Sequence, residues 1–342
     1  DAADRGASVH VRTKVVSARR EDGGWTVELD GEDGRQSVRA RMLINASGPW
    51  VDDVINQAMG KNGAHNVRLV QGSHIVVRKL YDHDRCYFFQ NSDGRIFFAI
   101  PYEGEFTLIG TTDRDYHGDP KDVAITEEET DYLLKATNEY FAQSVGRDDI
   151  VWSYSGVRPL FDDGASAAQE ATRDYVLKLD GDAANGAVIN VFGGKLTTSR
   201  RLAESVLEKI EEVLGKKGPA WTKSATLPGG DFGPKSFDAE LRRLGMDYPQ
   251  MNAGLLRRMM RLYGTRAKAV LGTARSEADL GTHFGADLYA AEVDYLVANE
   301  WARTAQDILW RRTKLGLKVG AEDATRLEEY LAAQDGSRAM PA

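Results

Sequence analysis

The chain has 342 residues, 42% hydrophobic and 28% charged, a balance that excludes disorder throughout and, at about 150 residues per domain, implies two or three units. Forty-four basic against fifty-two acidic residues give a net charge of −8, which excludes a generally basic nucleic-acid-binding surface and leaves any basic function local. Cys86 is the only cysteine, so neither an intrachain disulfide nor a Cys-rich zinc site can form, and a reducing, cytosolic-side setting is expected.

Asp1 leads directly into a strand-like pattern with no signal or transit segment, so the chain reads as cut into rather than newly begun. Alternation through Val9, Val11, Val15 and Val16, then Trp25, Val27 and Leu29, and then Val38 to Ile44 predicts strands, the last ending in the small-residue turn Asn45-Ala46-Ser47-Gly48-Pro49-Trp50. From Val67 an antiparallel meander is expected, with apolar runs at Cys86–Gln90, Ile96–Tyr102 and Phe106–Gly110 and turns at Asp93-Gly94 and Glu103-Gly104. Thr126 with Glu129 is a capping-box signature before a helical stripe through Leu133, Leu134, Tyr140 and Phe141.

Strand-like runs return at Ile150–Ser155, Tyr175–Leu179 and Ala187–Phe192, and Gly193-Gly194-Lys195-Leu196-Thr197-Thr198 then turns into a helix carrying Leu202, Val206, Ile210 and Leu214. Beyond Pro228-Gly229-Gly230 only helical patterns follow, over Phe237–Leu244, Leu255–Tyr263, Ala290–Trp310 and Leu327–Leu331, which places a domain boundary there. The longest uncharged stretch, Ala183 to Gly194, is broken by glycines and falls short of the roughly 20 apolar residues that a spanning helix needs.

Three stretches could carry chemistry. A strand-to-helix turn such as Gly193–Thr198 presents N–H groups and the positive end of a helix to an anion, and Lys195 adds a full charge; an ordinary tight connection with a solvated lysine reads the same way. His74, at the mouth of a β-branched strand, can take a proton near neutral pH, or be merely structural. Arg158, followed by proline, suits bidentate capture of phosphate or carboxylate, or a surface ion pair. The histidines form no helical metal pair, and Asp113, Asp115 and Asp119 lack EF-hand spacing, so no metal is expected. No Gly-x-Ser-x-Gly elbow occurs, and Cys86 is expected inside an apolar strand, which argues against a nucleophilic hydrolase.

Together, Leu43-Ile44-Asn45-Ala46-Ser47-Gly48-Pro49-Trp50-Val51, Gly72-Ser73-His74-Ile75-Val76-Val77, Ile109-Gly110-Thr111-Thr112-Asp113, Trp152 to Leu160 and Phe192 to Thr198 resemble the FAD-dependent glycerol-3-phosphate dehydrogenases. The likeness runs on through Gly218 to Thr222, Glu300-Trp301-Ala302 and Leu309 to Leu317, in family order. The fold it implies is mixed α+β and α/β. Residues 1–66 and 186–229 would be the remainder of a glutathione-reductase-like FAD-binding domain, 67–185 an antiparallel-sheet substrate domain of the D-amino-acid-oxidase type, and 230–342 an all-α cap. No Gly-x-Gly-x-x-Gly fingerprint occurs, so the segment that holds the ADP half of FAD is expected to be missing.

The resemblance implies oxidation of the C2 alcohol of sn-glycerol 3-phosphate to dihydroxyacetone phosphate, with electrons passing through FAD to a membrane quinone. It makes His74 the general base and Arg158 and Lys195 the anion partners, with Thr197 also meeting substrate. It sets Ala46, Ser47, Gly48, Gly193, Gly194, Lys195, Leu196 and Thr197 beside the flavin, and gives Thr111 and Asp113 supporting places. A peripheral position on the cytoplasmic face of the inner membrane is expected, or a cytoplasmic one for a truncated chain, with homodimerisation and no nucleic-acid partner. Membrane contacts could come from the Leu202–Leu214 face or from Arg257, Arg258 and Arg261, although packing on a core is the plainer reading of both. The competing functions are a glycerol-3-phosphate oxidase using oxygen and a non-catalytic chain that serves as an interaction module or complementing subunit.

Overall fold

In the computed structural model, which describes residues 1–32, 34–162, 164 and 174–338, the chain forms two compact units. One comprises His10–Lys223, the other Asp1–Val9 with Ser224–Ala342.

The first unit opens with an antiparallel sheet of β1 (Lys14–Glu21), β2 (Gly24–Gly31) and β3 (Gly34–Ala40). Val9 and Val11 precede it as exposed irregular chain, because alternation without a pairing partner does not make a strand. The run expected from Val38 to Ile44 divides at Arg41: β3 pairs with β2, whereas β4 (Met42–Asn45) pairs in parallel with a strand some 140 residues on. A short helix α1 (Val51–Asp53) follows.

The central sheet comprises β5 (Val67–Arg78), β6 (Tyr87–Gln90), β7 (Ile96–Tyr102), β8 (Phe106–Gly110), β9 (Arg114–Asp115) and, after helix α2 (Glu127–Tyr140), β10 (Ile150–Phe161). Its order is β10-β5-β8-β7-β6, with β9 also pairing β5. Glu103 and Gly104 both have positive φ, 44° and 81°, as the tight hairpin between β7 and β8 requires. Cys86 lies exposed just ahead of β6 rather than inside it, since the ladder begins at the Tyr87–Ala99 pair. The Thr126–Glu129 capping box is present, and α2 buries Leu133, Leu134 and Ala136 against Ile75, Val77, Phe97 and Ile109.

β11 (Val176–Asp180) and β12 (Ala187–Phe192) complete a third sheet in the order β11-β12-β4. Apart from Asn190, β12 is apolar on both faces because both are covered. Ala187, Ile189 and Val191 pack under Leu202, Val206 and Ile210 of α3 (Ser199–Leu214), while Val188 joins Trp25 and Val27. The Leu202–Leu214 face is thereby a packing face.

The second unit is built from α4 (Phe237–Asp247), α5 (Ala253–Tyr263), α6 (Ala267–Leu271), α7 (Ala290–Asn299) and α8 (Ala321–Arg338) around Leu255, Met259, Phe284, Leu288, Leu296 and Ile308. The helix expected over Ala290–Trp310 stops at Asn299. Trp301 has a φ of 55°, and the Asp307 carboxylate accepts from the N–H groups of Arg303 and Thr304 to start a separate turn. Apolar spacing is blind to a left-handed residue.

α5 packs on the core, the plainer of the two readings, and its Arg258 side chain, 12% exposed, forms a bidentate pair with Glu292 at 2.7 Å, with Asp287 against Nε at 2.9 Å and Tyr263 donating to the same Glu292 carboxylate. No described helix is long and apolar enough to cross a membrane. Removing one member of such a buried pair strands the other charge, so Glu292→Ala should destabilise the protein by about 3–5 kcal/mol. Urea unfolding followed by far-ultraviolet circular dichroism checks this, and an unshifted midpoint would contradict it.

Candidate active site

β5 and β10 run antiparallel with His74 opposite Tyr154, Gly72 opposite Gly156 and Val70 opposite Arg158. On the other side of β5, Gly110 of β8 faces His74 and is itself opposite Phe98. Side chains alternate along a strand, so His74, Tyr154 and Arg158 stand on the face turned away from α2. Gly72, Gly110 and Gly156 leave the middle of that face bare. A methyl group at Gly72 would collide with the Arg158 guanidinium, and one at Gly110 with the His74 ring, whereas at Gly156 it would meet open space. Both functional groups therefore lie flat on backbone.

Arg158 Nη1 donates to Asp113 Oδ1 at 2.9 Å and Nη2 to Thr111 Oγ1 at 3.1 Å. The Arg158 and Asp113 side chains are 30% and 20% exposed, so the pair is partly shielded from solvent and the fork has a fixed direction. His74 stacks on Tyr154, with ring centroids 4.8 Å apart and planes within 6°. Its Nδ1 is buried without a hydrogen-bond partner. Burial first, and the Arg158 charge second, push the imidazole down to about 4, so it is neutral at pH 7. Burial raises the Tyr154 phenol, which stays protonated. Trp152, with its centroid 5.1 Å from Tyr154, and the edge-to-face pair Phe88 and Phe98 extend an aromatic rim.

Gly193 and Gly194 take φ values of 71° and 102° between β12 and α3. A methyl at Gly193 would lie 2.9 Å from the Asp174 carbonyl and 3.6 Å from that of Pro159, which puts this turn beside the residue following Arg158. Lys195, Leu196 and Thr197 form an exposed tip, with Leu196 91% exposed, and the Lys195 ammonium makes no ion pair among the described residues. Asn45 holds the Ala46–Gly48 turn by donating to Asn190 Oδ1 at 2.9 Å and to the Val51 carbonyl at 3.1 Å, while Ser47 Oγ donates back to Asn45 at 2.6 Å. Because β4 and β12 are parallel with Asn45 level with Asn190, Ala46–Gly48 and Gly193–Thr197 lie off the same carboxyl ends, the edge at which open α/β sheets bind ligands.

The structure thus joins His74 and Arg158 on one face, sets the glycine turn beside that face, and adds Tyr154 and the three glycines, which sequence reading missed. Their signal was spacing: glycine at 72 and 156 two residues from His74 and Arg158 respectively. A cavity of about 600 Å³ lined by His65, Arg68, His117 and Asp162 contains none of the expected groups. Among the described residues no cluster of three or more His, Cys, Asp or Glu is placed to hold a metal ion.

Residues 1–200 match the FAD dependent oxidoreductase family and residues 220–333 the C-terminal domain of alpha-glycerophosphate oxidase. The chain belongs to the FAD dependent oxidoreductase family, whose cofactor is FAD. Two curated relatives bear the names of polyol-phosphate dehydrogenases. The glycerol-3-phosphate dehydrogenase of Pseudomonas aeruginosa is 48% identical over 338 residues, covering 98% of this chain and 66% of that protein. The D-erythritol 1-phosphate dehydrogenase of Brucella abortus is 47% identical over 331 residues, covering 96% and 66%. The chain therefore spans 66% of the length of these curated relatives. The crystal structure of the glycerol-3-phosphate dehydrogenase from Bacillus halodurans complexed with FAD superimposes with a TM-score of 0.75 at 26% identity, covering 97% of this chain and 70% of that one. The expected family and fold class are borne out.

The residues present fit the flavin end of FAD. The apolar Leu196 side chain stands uncovered, the two turns share one sheet edge, and the 16-residue α3 begins there with the positive end of its dipole. Ala46, Ser47, Gly48 and Gly193 to Thr197 would line that end. The flat seating of the two functional groups predicts that Gly72→Ala and Gly110→Ala each cost about 1–3 kcal/mol by overpacking. Gly156→Ala should change stability by less than about 1 kcal/mol. Equal urea midpoints for all three variants would refute that geometry.

Proposed function

We propose that this protein oxidises the C2 alcohol of sn-glycerol 3-phosphate to dihydroxyacetone phosphate with FAD, passing electrons to a membrane quinone from a peripheral position on the cytoplasmic face. The carrying observation is an imidazole stacked on Tyr154, its buried Nδ1 without a hydrogen-bond partner among the described residues, on the same glycine-floored face as a clamped guanidinium. FAD, when bound, supplies the two-electron acceptor for the C2 hydride.

The chain's own residues have three tasks. Arg158 holds the phosphate dianion through donors not taken by Asp113, Thr111 and the Thr112 carbonyl, and Lys195 adds a second cation from the neighbouring turn. His74, already neutral, accepts the C2 hydroxyl proton as the hydride leaves. A dianion beside Arg158 offsets one of the two causes that depress the imidazole, so substrate binding itself raises the basicity of His74. The start of α3 offers positive potential where negative charge gathers after transfer.

A second reading takes D-erythritol 1-phosphate as the substrate, favoured by the relative of that name at 47% identity. The bare glycine floor suits either polyol, and comparison of kcat/KM for the two separates them. Oxygen as acceptor is tested by oxygen uptake against reduction of a soluble quinone analogue.

In the FAD-loaded protein, Arg158→Ala should raise KM about tenfold or more with a much smaller change in kcat. His74→Asn should slow flavin bleaching in stopped flow by about 10²–10⁴-fold. A general base must be unprotonated, so activity is lost as pH falls through the His74 pKa; removing the Arg158 charge moves that acidic limb to higher pH. Parental bleaching rates and substrate dependence in both variants would overturn these roles.

A further inference from the structure

The face of the central sheet opposite His74 and Arg158 carries a buried carboxylate. Glu129, at the third position of α2, is 6% exposed. Its Oε1 accepts from Ser73 Oγ at 2.8 Å and from Thr112 Oγ1 at 2.5 Å; its Oε2 accepts from Gln71 Nε2 at 2.7 Å and from the N–H of Thr126 at 3.0 Å. Ser73 also meets Ser155 Oγ at 2.8 Å and donates its N–H to Thr112 Oγ1 at 2.9 Å.

Capping α2 requires only the bond to Thr126. The other three donors come from β5 and from the chain leaving β8, and an ionised carboxylate is the side chain that accepts at both oxygens and donates nothing. The gripped residues alternate with those that line the site: Gln71 and Ser73 with Gly72 and His74, Thr112 with Thr111 and Asp113, Ser155 with Tyr154 and Gly156. Thr111 and Asp113 are the two side chains that aim the Arg158 guanidinium.

We propose that Glu129 is a positioning residue that holds the Thr111–Asp113 corner against β5 and so fixes Arg158 over Gly72 for its anion. It touches neither Arg158 nor His74. The inference rests on the reading of Arg158 as the phosphate partner.

Glu129→Gln keeps the shape but replaces one acceptor oxygen by an NH₂ group. In one orientation that group confronts Gln71 Nε2 and the Thr126 N–H; in the other it deprives Ser73 and Thr112 of their acceptor. In the FAD-loaded protein the KM for sn-glycerol 3-phosphate should rise about tenfold while kcat changes less than about twofold. The calorimetric Kd for dihydroxyacetone phosphate should rise by the same factor. In an Arg158→Ala background the substitution should add nothing, a non-additivity that general loosening of the fold does not produce.

Thr112→Val, which leaves the carboxylate in place, should shift both constants in the same direction by about threefold and keeps the test open if E129Q folds poorly. Parental KM and Kd in E129Q and T112V, alongside raised values in Arg158→Ala, would overturn the positioning role while leaving the anion site intact. Equal factors in both backgrounds would overturn it too. Unchanged KM and Kd in Arg158→Ala itself would instead remove the reading on which the proposal rests.

Discussion

The site depends on how closely two rigid planar groups approach the backbone of the central sheet. The Arg158 guanidinium lies against Gly72 and the His74 ring against Gly110, at separations where even a methyl group would collide. Flat seating fixes direction: the fork is tied to Asp113 and Thr111, and the ring to the Tyr154 face. It also keeps the imidazole partly dry and near a cation, which is why the ring stays neutral. A clamped cation and an unprotonated base on one face are what the proposed abstraction of a hydroxyl proton from a phosphorylated alcohol calls for.

The rest of the first unit supports this face. α2 covers the reverse side with Leu133, Leu134 and Ala136 and brings Glu129 under the segments whose alternate residues face outward. The parallel pair β4–β12 delivers two turns to one sheet edge, held by the Asn45–Asn190 contact. The helical unit has its own apolar core and its own buried ion-pair network at Arg258 and Glu292. That network is structural, since both charges are consumed by each other.

Much of this was legible in the sequence. His74, Arg158 and the Gly193-Gly194-Lys195 turn stand out because polar or glycine residues interrupt β-branched and apolar runs, and Thr126 with Glu129 three residues on announces the capping box that opens α2. What stayed hidden was register. That Tyr154 falls opposite His74, or that β4 leaves β3 to pair with β12, is decided by tertiary pairing over tens of residues, to which local alternation is blind. Glu129 read as a cap because its other three partners come from distant strands. The partner of Arg258 stayed hidden because nothing near it in sequence announces Glu292.

The most direct test is to follow the His74 imidazole by NMR in ¹³C-histidine-labelled protein, where only six histidines contribute. His74→Asn supplies the assignment, and the titration is run with and without dihydroxyacetone phosphate. The account predicts a ring that titrates near 4 in the free protein and moves upward when the dianion binds beside Arg158. A ring titrating near the ordinary 6.5 and indifferent to the dianion would contradict it.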